Sequence, residues 1–134
     1  MRAFRVLGGL ALLGAAFVSG NALAACQGQA SAGSGLSGKT LCYTKANGDR
    51  FQEYHAGGPN SGDVIDWKKG ATDKVDPTKK VGTWSANGNN ITYTYGSQSY
   101  TYAVFRNGNS NNFCLSGNGE EITPVVRNGQ VACQ

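Results

Sequence analysis

The sequence predicts an all-β domain, an antiparallel up-and-down meander of about eight strands closing into a small barrel, with a two-sheet sandwich as the alternative. Three observations predict it. Asn-Gly recurs at Asn47-Gly48, Asn87-Gly88, Asn107-Gly108, Asn118-Gly119 and Asn128-Gly129; both residue types tolerate the positive φ of the type I′ turn, whose twist matches that of the strands it joins. Between these corners lie short runs rich in β-branched and aromatic residues. Beyond residue 24, no run of ten or more residues carries apolar side chains at helical spacing.

Taken in order, residues 1–24 read as an export signal: Arg2 and Arg5, an apolar run from Val6 to Val18, and a small-residue end at Ala22-Leu23-Ala24. The box Leu23-Ala24-Ala25-Cys26 also fits lipid attachment at Cys26. Plain export is favoured because it keeps an even set of four cysteines in an oxidising compartment, whereas lipidation strands one thiol. The product is expected in the periplasm or secreted, with a lipoprotein anchored through Cys26 as the alternative. Residues 25–38 are small and polar, and they read as a flexible lead-in held only by Cys26.

The barrel domain is expected over 39–134. Its strands are predicted at Thr40–Thr44, Arg50–His55, Val64–Trp67, Val81–Ser85, Asn90–Tyr95, Ser99–Phe105, Asn112–Ser116 and Glu121–Val126, with Val131–Cys133 as a candidate ninth. Lys68 to Lys80 is polar and holds Asp76-Pro77, so it reads as a long loop or a single helical turn. Closing the meander removes its exposed edges. No solenoid or propeller period is present, because the Asn-Gly corners are unevenly spaced and the runs between them differ.

Four cysteines allow three pairings, and sequence does not choose among them. The expectation is Cys42 with Cys114, both inside strands, and Cys26 with Cys133, both near the ends that a closed barrel brings together. No metal site is expected: there is no C-x-x-C, and His55 is the single histidine. The aspartates Asp63, Asp66, Asp73 and Asp76 lack the glycine and terminal glutamate of a calcium loop.

Net charge is +4, and cleavage of the signal removes Arg2 and Arg5 from it. That is too mild for a nucleic-acid partner. No apolar stretch in the mature part approaches the roughly 18 to 20 residues of a membrane span. No P-loop, dinucleotide fingerprint or Gly-x-Ser-x-Gly is present, so no cofactor is expected.

Two groups of residues carry the functional expectation. The second strand has faces Phe51-Glu53-His55 and Arg50-Gln52-Tyr54. Whichever face turns inward brings polarity with it, and those groups need hydrogen bonds, water or a ligand. A partly polar interior or mouth follows. The other group is aromatic: Trp67, Trp84, Tyr93, Tyr95, Tyr100 and Tyr102, rings with polar tips suited to an apolar pocket, although a small domain also needs aromatics as core.

Gly82-Thr83-Trp84, followed by Gly88 and the strand ITYTY, resembles the small exported bacterial lipocalin-like domains, many of unknown function. A strand-borne Gly-x-Trp is a hallmark of that family, where it lies on the first strand; here it falls on about the fourth. The resemblance implies a small barrel able to hold an apolar ligand.

The leading functional reading is therefore a binding module for a small apolar or aromatic ligand, not an enzyme, with Trp67, Trp84, Tyr93, Tyr95, Tyr100, Tyr102, Glu53 and His55 as contacts. A monomer is expected. An envelope protein-interaction or inhibitor domain using the turns and the Lys68 to Lys80 loop is the second reading. A hydrolase using Glu53 and His55 as acid and base is the third; it would want a second acid or base and a cluster of cations.

Overall fold

The computed structural model describes residues 26–48, 50–66 and 78–133. It is all-β, one antiparallel sheet of nine strands: β1 (Lys39–Thr44), β2 (Arg50–His55), β3 (Ser61–Asp66), β4 (Lys79–Asn87), β5 (Asn90–Tyr95), β6 (Gln98–Arg106), β7 (Phe113–Gly117), β8 (Glu120–Ile122) and β9 (Val125–Asn128). Hydrogen-bonded order follows the chain from β1 to β8, and β9 returns to pair with β1. The sheet curls until its two ends meet at the Asn112↔Val125 bridge. There Phe113 N–H donates to the Pro124 carbonyl (3.0 Å) and Val126 N–H to the Asn111 carbonyl (2.8 Å). A single sheet joined to itself is a barrel, which settles against the sandwich.

Two of the three tightest hairpins turn at predicted corners, the third, Tyr95 to Gln98, turning at Gly96-Ser97. Asn87 pairs with Asn90 across Gly88, and Gly117 with Glu120 across Asn118-Gly119. Gly88 and Gly119 have φ of 59° and 75°, and Asn118 has φ of 54°. These left-handed values are the ones Asn and Gly accept at little cost.

One predicted strand divides. Glu121–Val126 is not continuous, because Pro124 has no N–H to give a ladder. The chain instead leaves β7 after Ile122 and crosses at Thr123-Pro124 to β1 as β9. The ninth strand is thus Val125–Asn128, and Val131–Cys133 lies outside any strand. Thr40 fixes that tail: its fully buried hydroxyl donates to the Gly129 carbonyl (2.6 Å) and accepts from Val131 N–H (3.2 Å). Thr40→Val keeps the shape and leaves both backbone groups unpaired. We expect it to lower the unfolding free energy by about 2 kcal/mol, read as a reduced urea midpoint at unchanged slope.

The lead-in is corrected as well. Residues 26–38 are built into the fold: Ala30 N–H donates to the Val104 carbonyl (3.0 Å) and Arg106 N–H to the Gly28 carbonyl (2.9 Å). A single helical turn, α1 (Ala32–Leu36), follows, with Ala32 and Leu36 fully buried. It docks against β1, β4 and β5 and closes one end of the barrel. Gly33 and Gly35 permit the approach. A Cβ at Gly33 would strike Asn60 and the Pro59 carbonyl, and one at Gly35 would lie 3.2 Å from the Phe113 ring.

Disulfides join Cys26 to Cys114 and Cys42 to Cys133. The expected pairing of Cys42 with Cys114 and Cys26 with Cys133 is therefore wrong. Cys114 on β7 lies beside the lead-in, since its ladder partner Phe105 also bridges Gln29. Cys42 lies beside the C-terminal tail, where Cys133 N–H reaches the Gln52 side chain on β2. Two such bridges belong to an oxidising compartment. Among the described residues no helix is long and apolar enough to cross a membrane. The signal reading for 1–24, Trp67 and the greater part of the Lys68 to Lys80 loop lie outside the described residues; Lys79 and Lys80 open β4.

Candidate ligand cavity

Strand pairing decides which face of β2 looks inward. Leu41↔Glu53 on one side and His55↔Val64 on the other align Glu53 and His55 with buried apolar residues. The face Phe51-Glu53-His55 is the interior one. The predicted faces Ile91-Tyr93-Tyr95 and Tyr100-Tyr102-Val104 also hold, with Ile91, Tyr93, Tyr102 and Val104 all buried. The opposite faces carry Thr92 and Thr101, whose hydroxyls bond each other at 2.8 Å.

Inside, the barrel is stratified. Next to α1 lies a filled layer of Leu36, Val64, Trp84, Ile91, Val104 and Phe113. Trp84 is 1% exposed and its Nε1–H donates to the Ala56 carbonyl (2.9 Å). It is core, and the expectation that it contacts ligand is corrected on that ground. Gly82 serves the same packing: a Cβ there would collide with the Thr94 carbonyl and the Tyr95 ring.

His55 belongs to this layer too. It is fully buried, edge-on to Trp84 at 5.7 Å and to Tyr93 at 5.5 Å between centroids. Nδ1 lies 3.2 Å from the Lys39 carbonyl, and Nε2 lies 2.7 Å from the Tyr93 hydroxyl. A carbonyl only accepts, so Nδ1 carries the proton and Nε2 accepts from Tyr93. Burial is the main cause that lowers the His55 pKa to about 4, against smaller opposing hydrogen bonds from the backbone. The imidazole is neutral and both nitrogens are engaged. It supports Tyr93 and is absent from the cavity wall.

Beyond that layer the barrel is hollow. A cavity of about 490 Å³ opens toward the end bearing the β1–β2 turn. Its apolar wall comes from Leu41, Phe51, Leu115 and Ile122, and its polar-tipped wall from Glu53, Tyr93, Tyr95 and Tyr102. Tyr43 joins them, while Lys45, Asn47 and Glu120 stand at the rim. Tyr93 stacks on Tyr95 at 6.1 Å and meets Tyr102 edge-on at 6.1 Å. Tyr100 packs on Tyr95 from outside the cavity at 6.3 Å. It bonds Gln98, so its expected ligand contact is corrected to a supporting one.

The electrostatics follow from enclosure. Glu53 is raised to about pKa 7, first by burial and then by Asp66, its partner in the β2–β3 ladder, while the Tyr95 hydroxyl donates to it at 3.4 Å and opposes the shift. Burial raises Tyr93 and Tyr95 far above the ordinary phenol value, with Glu53 adding to both. Tyr102, whose hydroxyl donates to Glu120 at 2.8 Å, is pushed up to about 12, with burial the leading cause.

Of the predicted contacts, the fold thus brings Glu53, Tyr93, Tyr95 and Tyr102 to one cavity. Sequence reasoning missed the apolar half of the wall. Leu41, Leu115 and Ile122 are ordinary hydrophobes on short strands, and only the ladder register, Leu41↔Glu53, Val104↔Leu115 and Leu115↔Ile122, places them on the interior face.

No protein-family model, no curated protein and no solved structure matches this chain.

Proposed function

We propose that this domain is an exported binding module that holds one small apolar or aromatic ligand inside its barrel. The observation that carries the reading is the cavity itself. Its volume lies in the range of small-molecule sites, and an apolar wall with a few convergent polar groups is the usual composition of such sites. An end closed by α1 and an end open at the β1–β2 turn suit a ligand entering from one side. Export is supported by the two disulfides together with the Arg2 to Ala24 pattern.

The test is a calorimetric and fluorescence titration with 1-hexanol and indole, beside sucrose as a polar control. Saturable binding of the first two and none of the third is expected. Leu115, 1% exposed, lines the cavity. Leu115→Trp should occupy that space and abolish binding while costing about 1 to 3 kcal/mol of stability. A cavity indifferent to both apolar probes would overturn the reading.

A further inference from the structure

The hydroxyl hydrogens of the three tyrosines nearest Glu53 are already spoken for. Tyr93 donates to His55, Tyr102 to Glu120 and Tyr95 to Glu53. With its hydrogen given away, each hydroxyl has only acceptor capacity left to offer, which at Tyr102 is shared with the Asn118 side chain, and the Glu53 carboxylate is an acceptor alone. Among the described residues the cavity wall holds one cation, Lys45. It stands at the rim with its ammonium 4.9 Å from the centre of the Phe51 ring. Deep inside there is thus a carboxyl group, phenolic oxygens and aromatic rings, with Asp66 behind Glu53. The side chains around Glu53 thus offer acceptors, while the donors of Tyr43, Lys45 and Asn47 lie on the side of the β1–β2 turn.

A ligand that satisfies those acceptors brings hydrogen-bond donors and positive charge, which gain from the carboxylate and from any ring face they meet. A ligand carboxylate would instead face Glu53 with Asp66 behind it, and a neutral alcohol supplies a single donor without charge. Resting on the reading of the cavity as a ligand site, we propose that the ligand is an apolar or aromatic amine. Its ammonium group sits at Glu53 among Tyr93, Tyr95 and Tyr102, and its apolar body lies against Leu41, Leu115 and Ile122.

The carboxylate form is the one that binds, so affinity depends on pH. The groups facing Glu53 are Asp66 from β3, Tyr93 and Tyr95 from β5 and Tyr102 from β6, with His55 behind Tyr93 and with Lys45 and Glu120 at the rim. The tyrosines hold their protons throughout the neutral range, and His55, lowered to about 4, stays uncharged above pH 5.5. Glu53 titrates near 7. The affinity for an alkylammonium ion is expected to rise about 30-fold between pH 5.5 and 8.

The experiment titrates the full domain with hexylammonium, 1-hexanol and hexanoate, which share one apolar body and differ in charge. At pH 8 hexylammonium is expected to bind about 10- to 100-fold more tightly than hexanol, the gain typical of a hydrogen bond to a charged group. Glu53→Gln should collapse that preference to about one. Its urea midpoint reports whether the variant is folded. Should it not fold, calorimetry of the native domain at pH 7 in phosphate and in Tris still decides, since about half a proton is released per amine bound.

Equal affinities for amine and alcohol, or a preference for hexanoate, would overturn the amine assignment and leave the apolar ligand standing. Failure of all three probes to bind would remove the ligand reading itself.

Discussion

Glu53→Gln and His55→Gln are expected to tilt the pH dependence of stability in opposite directions, exposing two slopes that cancel in the native protein. His55 has its folded pKa lowered from 6.5 to about 4. On acidification below 6.5 the unfolded chain takes up a proton here that the folded chain refuses until about 4, so stability is lost as pH falls through that window. Glu53 is raised from 4.5 to about 7. Between those values the folded chain holds a proton that the unfolded chain has released, so stability is lost as pH rises.

Each group contributes a slope approaching 1.4 kcal/mol per pH unit where its two states differ by one proton. The windows overlap between 4.5 and 6.5 with opposite signs. Urea unfolding from pH 4 to 8 should therefore show Glu53→Gln gaining about 3 kcal/mol between pH 4.5 and 7, relative to the native chain's profile over the same range. His55→Gln should lose a comparable amount, about 3 kcal/mol, between pH 4 and 6.5 on the same relative scale. Because other carboxylates are shared by all three proteins, the differences between profiles isolate the two residues. Superimposable profiles would show that neither group is enclosed as described. Above pH 7, Glu53→Gln should also be the most stable of the three, because the native cavity then holds an ionised carboxylate with Asp66 in the next strand.

The parts of this fold that were legible are those set by local chemistry. Asn-Gly corners choose turns, and alternation along Asn90–Tyr95 and Ser99–Phe105 places Tyr93, Tyr95 and Tyr102 on interior faces whatever the neighbours are. Arg50–His55 was legible only as a conflict, because both of its faces are polar and the choice depends on the ladder with Leu41 and Val64. The segment 25–38 misled for a related reason. Its burial is achieved by Ala32, Leu36 and the close approach that Gly33 and Gly35 permit, and small residues carry no periodic signal of burial. Pro124 was the available clue to the split between β8 and β9, since a missing N–H forbids an uninterrupted strand there. Cysteine connectivity had no local signature at all. It follows from where the two chain ends are laid against β7 and β1, and those placements are set by the lead-in bonds to Val104 and Arg106 and by the Thr40 hydroxyl.

That placement gives the disulfides their weight. Cys26–Cys114 and Cys42–Cys133 span sequence separations of 88 and 91, and the two loops interlock. When one bridge is opened the other remains, so the loop that is released runs through the surviving bridge and is only about 35 residues long. Cys26→Ala/Cys114→Ala or Cys42→Ala/Cys133→Ala should each cost about 4 kcal/mol on the chain-entropy account. Removing both bridges releases the full length as well and should cost about 8 kcal/mol. That is comparable to the whole stability of a domain this size, about 5 to 15 kcal/mol. Urea titration checks the origin as well as the amount. If the bridges act on the unfolded chain, each removal lets that chain expand and expose more surface, so the denaturant slope should increase along with the fall in midpoint. A lower midpoint at unchanged slope would place the damage in the folded barrel instead, at the lead-in over β7 or at the tail over β1. The 1-hexanol titration should then separate those two, since Leu115 in the cavity wall follows Cys114 on β7 directly, whereas the tail lies on the outer face of β1 and β2.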